Sequence, residues 1–462
     1  MSHFLLPSSP IYGHVTPMVV IGRGLVERGH SVTVLTGHKY AAAVRTAGLA
    51  FRGLPAEADY DDAHLEDWLP DRHRYRGVAA GRYDILGLFV RPLVAQHRAL
   101  TEALAADRYD AVLSEAAFLG TLPLLSVPPD RRLPVLGVSA TPLALTSVDC
   151  APFGAGLEPD RTIHGLSRNW LITTVLHRGP LRPVQTALDA ALRAAGAPPL
   201  QGNYFDQATR FDLTFQLAAP GIEYPRREMP PTVRFVGPLR QPIAPGAALR
   251  EAASQSRSLP SWWGDLDGRG PVVHVTQGTM ANVDLRQLLV PTLRGLADDD
   301  VLVLASTGGR PVAQLREQYG APLPANARVA SFLPYDQLLP RTDVMVTNGG
   351  FGGVQQALAY GVPLVVAGSS EDKPEVAARV SWSGTGVNLR TGTPTSRRVR
   401  RAVRRVLARP GYRREAARLQ HEIATLDDPV ATIADTLTGI TGERFGFGSG
   451  RAAAAERSNA LP

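Results

Sequence analysis

The chain has 462 residues, 44% of them apolar, 20% charged and 6% aromatic, with a formal net charge of +7. At roughly 100–200 residues per domain this length makes two or three domains, and an apolar share this near average excludes a disordered chain. The single cysteine, Cys150, excludes an internal disulfide and a cysteine-based zinc site, and no apolar run is long enough to span a membrane, so a reducing, cytoplasmic setting is expected.

In chain order, HFLLP opens the sequence as a short buried strand; it lacks the basic start, long apolar stretch and cleavage site of a secretory leader. PMVVIGRGLVERG then has helical periodicity, and HSVTVLTG, DAVLSEAAF and LPVLGVSA are further β-branched runs bounded by turn residues. This strand–helix–strand alternation predicts an α/β fold with a parallel sheet over residues 1–237. The less regular stretches near 55–95 and 142–215 carry Trp68, Tyr75, Phe89 and Phe153, large side chains that either cap the core or line a pocket. Residues 238–270, rich in Pro, Gly, Ser and Ala, are expected to form an interdomain linker. PVVHVTQGT, VLVLAST, ARVASF, VMVTNGG and VPLVVAG then mark a second parallel-sheet domain over 271–440, whose last helix is free to return to the first domain, and 441–462 lacks periodicity and reads as a disordered tail.

The positive charge raises the question of a nucleic-acid partner. Lys39 and Lys373 are the only lysines among 49 basic residues, and the densest run, Arg397 to Arg405, alternates with Val399, Val403 and Val406 at helical spacing. Those arginines form the wet face of an amphipathic helix, with no aromatic residues among them for base stacking, so no nucleic-acid partner is expected.

Two glycine-containing loops follow strands in the second half: Thr276-Gln277-Gly278-Thr279, and Asn348-Gly349-Gly350-Phe351-Gly352-Gly353 leading into a helix. Glycines at a helix N-terminus free backbone amides to face an anion, and the helix dipole adds to the attraction. Two such loops facing one cleft suit a diphosphate; taken alone, either is equally well a tight strand–helix turn.

The order VTQGT, VASFLPYDQLLP and NGGFGGVQQALAYGVPLVVAGSSEDKPEVAARV, with the opening YGHVTPMVVIGRGLVERGHSVTVLTG, resembles the family-one glycosyltransferases, closest to the bacterial macrolide and natural-product enzymes. That resemblance implies a GT-B fold, two Rossmann-like domains facing each other across a cleft, and inverting transfer of a hexose from a nucleotide diphosphate to a small hydrophobic acceptor. UDP-glucose is the expected donor, a TDP-sugar the second choice, with no cofactor and no metal.

The resemblance also assigns roles. His14 matches the catalytic base, and Glu115 falls where the family places an aspartate that orients it. Thr279, Gly278, Asn348, Gly350, Gly352 and Gly353 are implied to hold the diphosphate, Phe332 with Leu333 the nucleobase, Gln356 the ribose, and Asp372 with Lys373 the sugar. Tyr12, Trp68, Tyr75, Phe89, Phe118 and Phe153 are implied acceptor contacts. The sequence departs from the family at Asn348, usually histidine, Gly353, usually a small hydroxyl residue, Gln356, usually glutamate, and Lys373, usually glutamine. All but Gly353 keep a side-chain hydrogen-bonding group, and Lys373 adds a charge that would favour an anion or an acidic sugar. Asp265-Leu266-Asp267 spells a D-x-D metal pattern but lies in a Gly/Pro-rich turn, so a solvated turn is the better reading. A nucleotide-sugar epimerase and a non-catalytic nucleotide-sugar binder are the alternatives, and a monomer or weak homodimer is expected.

Overall fold

The computed structural model describes residues 1–239, 259–268, 270–279 and 282–445. The first lobe is a seven-stranded sheet of β1 (His3–Pro7), β2 (Ser31–Thr36), β3 (Ala50–Gly53), β4 (Ala111–Glu115), β5 (Val135–Ser139), β6 (Thr214–Gln216) and β7 (Val233–Phe235), ordered β3-β2-β1-β4-β5-β6-β7. The second is a six-stranded sheet of β8 (Val272–Thr276), β9 (Leu302–Ser306), β10 (Ala327–Ala330), β11 (Val344–Thr347), β12 (Leu364–Val366) and β13 (Gly386–Asn388), ordered β10-β9-β8-β11-β12-β13. Every paired strand in both sheets is parallel.

Parallel strands covered by helices on both faces read as continuous apolar runs, which is why VVHVT and AVLSE are buried throughout. Successive side chains alternate across the sheet. Phe4 and Leu6 therefore face the helix Tyr12–Glu27, while Leu5 packs with Leu100 and Ala103 of the helix Leu93–Ala106. The chain's last helix, Pro429–Phe445, sends Val430, Ile433 and Leu437 back into the first lobe's core. Each such side chain fully buried is worth about 1.5–3 kcal/mol, enough to fasten the return. Helix thus continues to Phe445, five residues into the segment read as a tail; 446–462 and 240–258 of the expected linker lie outside the described residues. The end of that linker belongs to the second lobe, where Trp263 and Leu266 pack on Val272, Leu304 and Leu338.

In each sheet the winding reverses beside the first strand, between β1 and β4 and between β8 and β11. A doubly wound sheet opens a crevice at that reversal, beyond the carboxyl ends of its strands. His14, Glu115, Gly278, Thr279, Asn348 and Gly350 lie at or just beyond the carboxyl ends of β1, β4, β8 and β11.

Candidate active site

The chain leaves β1 and enters the helix Tyr12–Glu27, so His14 lies in that helix's first turn and not on the strand end. Glu115 ends the neighbouring β4, paired to β1 through Phe4↔Ala111 and Leu5↔Val112. Adjacent strands at the reversal thus bring the two together, with His14 Nδ1 2.9 Å from Glu115 Oε1. The Ala117 amide donates to the same oxygen at 2.7 Å and fixes the carboxylate. The added methylene of glutamate is therefore accommodated. Burial alone would lower the His14 pKa, but Glu115, with Asp372 and Asp62 behind it, raises it above the ordinary imidazole value.

Asp62 was not legible in the sequence, being one acid of a loop run. It accepts from the Tyr12 amide at 2.7 Å, at the start of the helix carrying His14, and is held by Tyr40 Oη at 2.8 Å and Lys39 Nζ at 2.6 Å. A carboxylate at a helix N-terminus is favoured by the dipole and steadies the turn on which His14 sits.

Phe89 stands 5.9 Å from the His14 ring, between centroids, on the π-helical turn Ile85–Val90. Trp68 and Phe89 share one apolar cluster with Ile11 and Tyr60, and the Trp68 indole N–H donates to Gly87 O at 2.9 Å. Tyr75 extends the group by stacking on Tyr83. Tyr12 is packed on the first lobe's core, with burial pushing its phenol up to about 12. Phe153 lies on a separate loop against Phe205, in a crevice with His177, Pro152 and Leu145. Phe118 is corrected: it is fully buried between β4 and the helix Leu93–Ala106, where it packs the core and meets no acceptor.

On the second lobe, Asn348 after β11 donates its side-chain amide to the Gln277 carbonyl after β8, tying the two loops across the reversal. Asn282 Nδ2 reaches Gly278 O, Thr307 O and Gly308 O, each at 3.0 Å, and draws in the loop after β9. That approach needs glycine at 308, where φ is +64° and a Cβ would overlap Gly278 O. Gly350 caps the helix Phe351–Ala359, whose first-turn amides have no intrahelical acceptor, and a Cβ at Gly352 would meet nothing within 4 Å. Gly353 is half-buried, and a Cβ there would lie 3.8 Å from Cε of the core residue Met345. Thr279 and Gln356 are half-buried at the loop and along that helix.

The Phe332 ring lies beside the loop after β9, where a Cβ at Gly309 would stand 3.0 Å from its Cζ. Leu333 is corrected: its side chain is in the core with Trp263, Leu304 and Leu338 and does not face a ligand. Asp372 immediately precedes the helix Lys373–Trp382, and burial raises its pKa against the opposing pull of Lys373 and His14. Asp372 and His14, one from each lobe, each act electrostatically on the other's titration. Lys373 is buried and ion-paired with Glu371, so its charge is neutralised within the protein rather than offered to a ligand. Glu371, at φ +57°, also stands 3.7 Å from Arg72 of the first lobe, itself held by Asp84 at 2.8 Å.

Asp265 and Asp267 lie in an exposed turn and each face an arginine, Arg328 at 2.6 Å and Arg341 at 3.6 Å. Within the basic run, Arg400 and Arg404 are both tied to Asp299. Among the described residues no helix is long and apolar enough to cross a membrane.

The family description "Erythromycin biosynthesis protein CIII-like, C-terminal domain" matches residues 310–439. The chain is 38% identical over 437 residues to 4'-demethylrebeccamycin synthase of Lentzea aerocolonigenes, covering 94% of this chain and 99% of that protein. It is 34% identical over 443 residues to UDP-glycosyltransferase 2 of Phaeomoniella chlamydospora, covering 94% and 95%. Among solved structures, the glycosyltransferase of kitacinnamycin superposes with a TM-score of 0.69 at 21% identity, covering 95% of this chain and 98% of that one. The calicheamicin glycosyltransferase CalG4 does so at 0.67 and 23%, covering 96% and 99%. With a relative this similar along nearly its whole length, and with both lobes wound as those folds are, the chain belongs to the family-one GT-B glycosyltransferases of natural-product type.

Proposed function

We propose that the protein transfers a hexose, glucose from UDP-glucose, to a hydroxyl or amine of a hydrophobic small molecule, with inversion and without a metal. The observation that carries this reading is the His14–Glu115 pair at 2.9 Å, with Asp372 of the second lobe acting electrostatically on the same imidazole. With the Glu115 carboxylate, which only accepts, 2.9 Å from Nδ1, the proposed base is the tautomer that carries its proton on Nδ1 and keeps a lone pair on Nε2. The acceptor hydroxyl attacks the anomeric carbon and its proton passes to Nε2. The bond from that carbon to the β-phosphate oxygen breaks, and its electron pair leaves with UDP.

Glu115 stabilises the imidazolium formed in the step. The negative charge growing on the diphosphate meets the free amides at Gly352 and Gly353 and the hydrogen-bonding groups of Thr279 and Asn348, preorganised in a cleft that excludes much water. A single displacement, with the acceptor oxygen attacking from the face opposite the departing UDP, inverts the anomeric carbon. The proposed step calls on no metal, because the backbone amides and side-chain hydrogen-bonding groups of the second lobe are assigned to the leaving charge. The UDP-glucose choice rests on relatives named UDP-glucosyltransferase, at 34% identity in Beauveria bassiana and 32% in Starmerella bombicola.

The test is to incubate the purified protein with UDP-glucose or TDP-glucose and a panel of phenolic and polycyclic acceptors, with and without EDTA, and to read product mass and anomeric configuration. A β-glucoside formed in EDTA, and lost in His14→Ala, is the expected result. UDP binding without turnover, or interconversion of the nucleotide sugar without acceptor, would replace this reading with a binder or an epimerase.

A further inference from the structure

The helix Lys373–Trp382 begins at the implied sugar acid, Asp372, and one turn later carries Glu375, only 4% exposed. Its two oxygens divide between the lobes. Oε1 accepts from the amides of Gly154 and Gly156 of the first lobe, at 3.0 and 2.8 Å, and Oε2 accepts from Arg379 Nη1 at 2.9 Å. Gly156 has a φ of +60° and a Cβ there would press to 3.2 Å from Pro374, so the first-lobe loop runs hard against the start of this helix.

Arg379, 1% exposed, secures the other end of the same loop. Its Nε donates to Glu223 at 2.9 Å and its Nη2 to Leu143 O at 3.3 Å, while Glu223 also accepts from the Leu143 amide at 2.8 Å. Tyr224 lies over the guanidinium, 4.2 Å from centroid to Cζ. Residues 143–156 are therefore pinned at both ends to the helix that starts at Asp372. Between the pins lies Phe153, which shares its crevice with Leu145, Pro152, His177 and Phe205.

We propose that Glu375 is a positioning residue that sets the acceptor side of the cleft from the donor side, holding the 143–156 loop and Phe153 in register with the end of the helix at Asp372. Substitution at 375 then acts on acceptor recognition although the residue belongs to the donor lobe. The inference rests on the transferase reading for its kinetic meaning, but the pinning itself is readable without turnover.

Glu375→Ala, Glu375→Gln and Glu375→Asp are compared with wild type in steady-state kinetics, with each substrate varied in turn, and in amide hydrogen exchange without substrates. Glu375→Ala is expected to raise acceptor KM tenfold or more, with donor KM within twofold, and to speed exchange at Gly154 and Gly156 more than tenfold. Glu375→Gln keeps an oxygen for both glycine amides but sets an NH2 group against Arg379, which stays paired with Glu223, so it should recover exchange protection at the two glycines and part of the acceptor KM. Glu375→Asp, a methylene short of the loop, stands in if the alanine variant does not fold. Equal rises in donor and acceptor KM, or unchanged exchange at the two glycines, overturn the proposal. If wild type transfers no sugar, the proposed function fails, and exchange alone decides: faster exchange confined to 143–156 upholds the pin, and uniform or absent change overturns it.

Discussion

The two lobes share one winding and differ in what each places at its reversal. The first puts side chains there, an imidazole with a carboxylate on it; the second puts backbone amides, glycines and an asparagine. A histidine in each lobe sharpens the contrast. His14 is half-buried and His274 fully buried, and both pay for desolvation, yet Glu115 lifts the first above its ordinary pKa, while the second is pushed down to about 4. His274 sits in the β8 core between the Leu304 carbonyl, at 3.0 Å, and Tyr335 Oη, at 3.1 Å, with no carboxylate to compensate its burial. Burial sets the penalty on the imidazolium, and the partner decides whether it is overcome. A proton acceptor has to be a tunable side chain; a leaving diphosphate needs only fixed dipoles.

The comparison breaks most visibly at His14. His14→Ala should lower kcat by about 10²–10⁴-fold, the usual worth of a general base, with donor KM little changed, in initial-rate kinetics. A loss confined to KM would show that the imidazole binds rather than accepts a proton.

His274 provides the next effect, on stability. Its folded pKa lies below the unfolded value of 6.5, so the unfolded chain binds the proton first. The stabilising contribution is present above pH 6.5 and is lost as pH falls toward about 4, amounting to about 3 kcal/mol. Urea unfolding between pH 7 and 4 should show that fall, and His274→Gln should flatten the slope over the same interval. His14 has the opposite sign: its contribution is full below the unfolded pKa and is lost as pH rises through the raised folded value.

Phe332→Ala removes a stacking face from the second lobe and should weaken UDP binding by about 1–3 kcal/mol in titration calorimetry while leaving acceptor KM unchanged. Equal UDP affinity in both proteins would return Phe332 to a packing role. The smallest effect is a displacement in pH. Wild-type kcat/KM should fall as pH drops through a value above the ordinary imidazole pKa, where His14 takes up its proton. In Glu115→Gln burial is no longer opposed by that charge, so the acid limb should move to lower pH.

Much of this architecture was legible from pattern. The runs HFLLP, SVTVLT, VVHVT and VMVT form strands as read, because an apolar run of that length between turn residues has few other ways to bury itself. The strands Thr214–Gln216 and Val233–Phe235 were missed, being three residues each and set in long irregular stretches. Among site residues, His14, Glu115 and Asp372 were named through the family resemblance, as were Phe118 and Leu333, whose side chains lie in the core; an aromatic or leucine beside a strand end reads the same facing in or out. Glu375 and Arg379 did carry a signal, opposite charges four apart in the otherwise apolar PEVAARV, but a helix-surface pair would look identical.

By itself, then, the chain's order of residues determined which segments become strands, that the sheets are parallel, and which loops hold glycine or ionisable groups, for these follow from local periodicity and backbone freedom. Only the tertiary structure decided that His14 Nδ1 meets Glu115 Oε1, that Asn348 ties to Gln277, that Lys373 is neutralised by Glu371, and that Glu375 reaches across to Gly154 and Gly156. Those pairs are separated in sequence by anything from two residues to more than two hundred. Whether a charge finds its partner over such distances depends on how the lobes pack, and packing is a property of the whole chain.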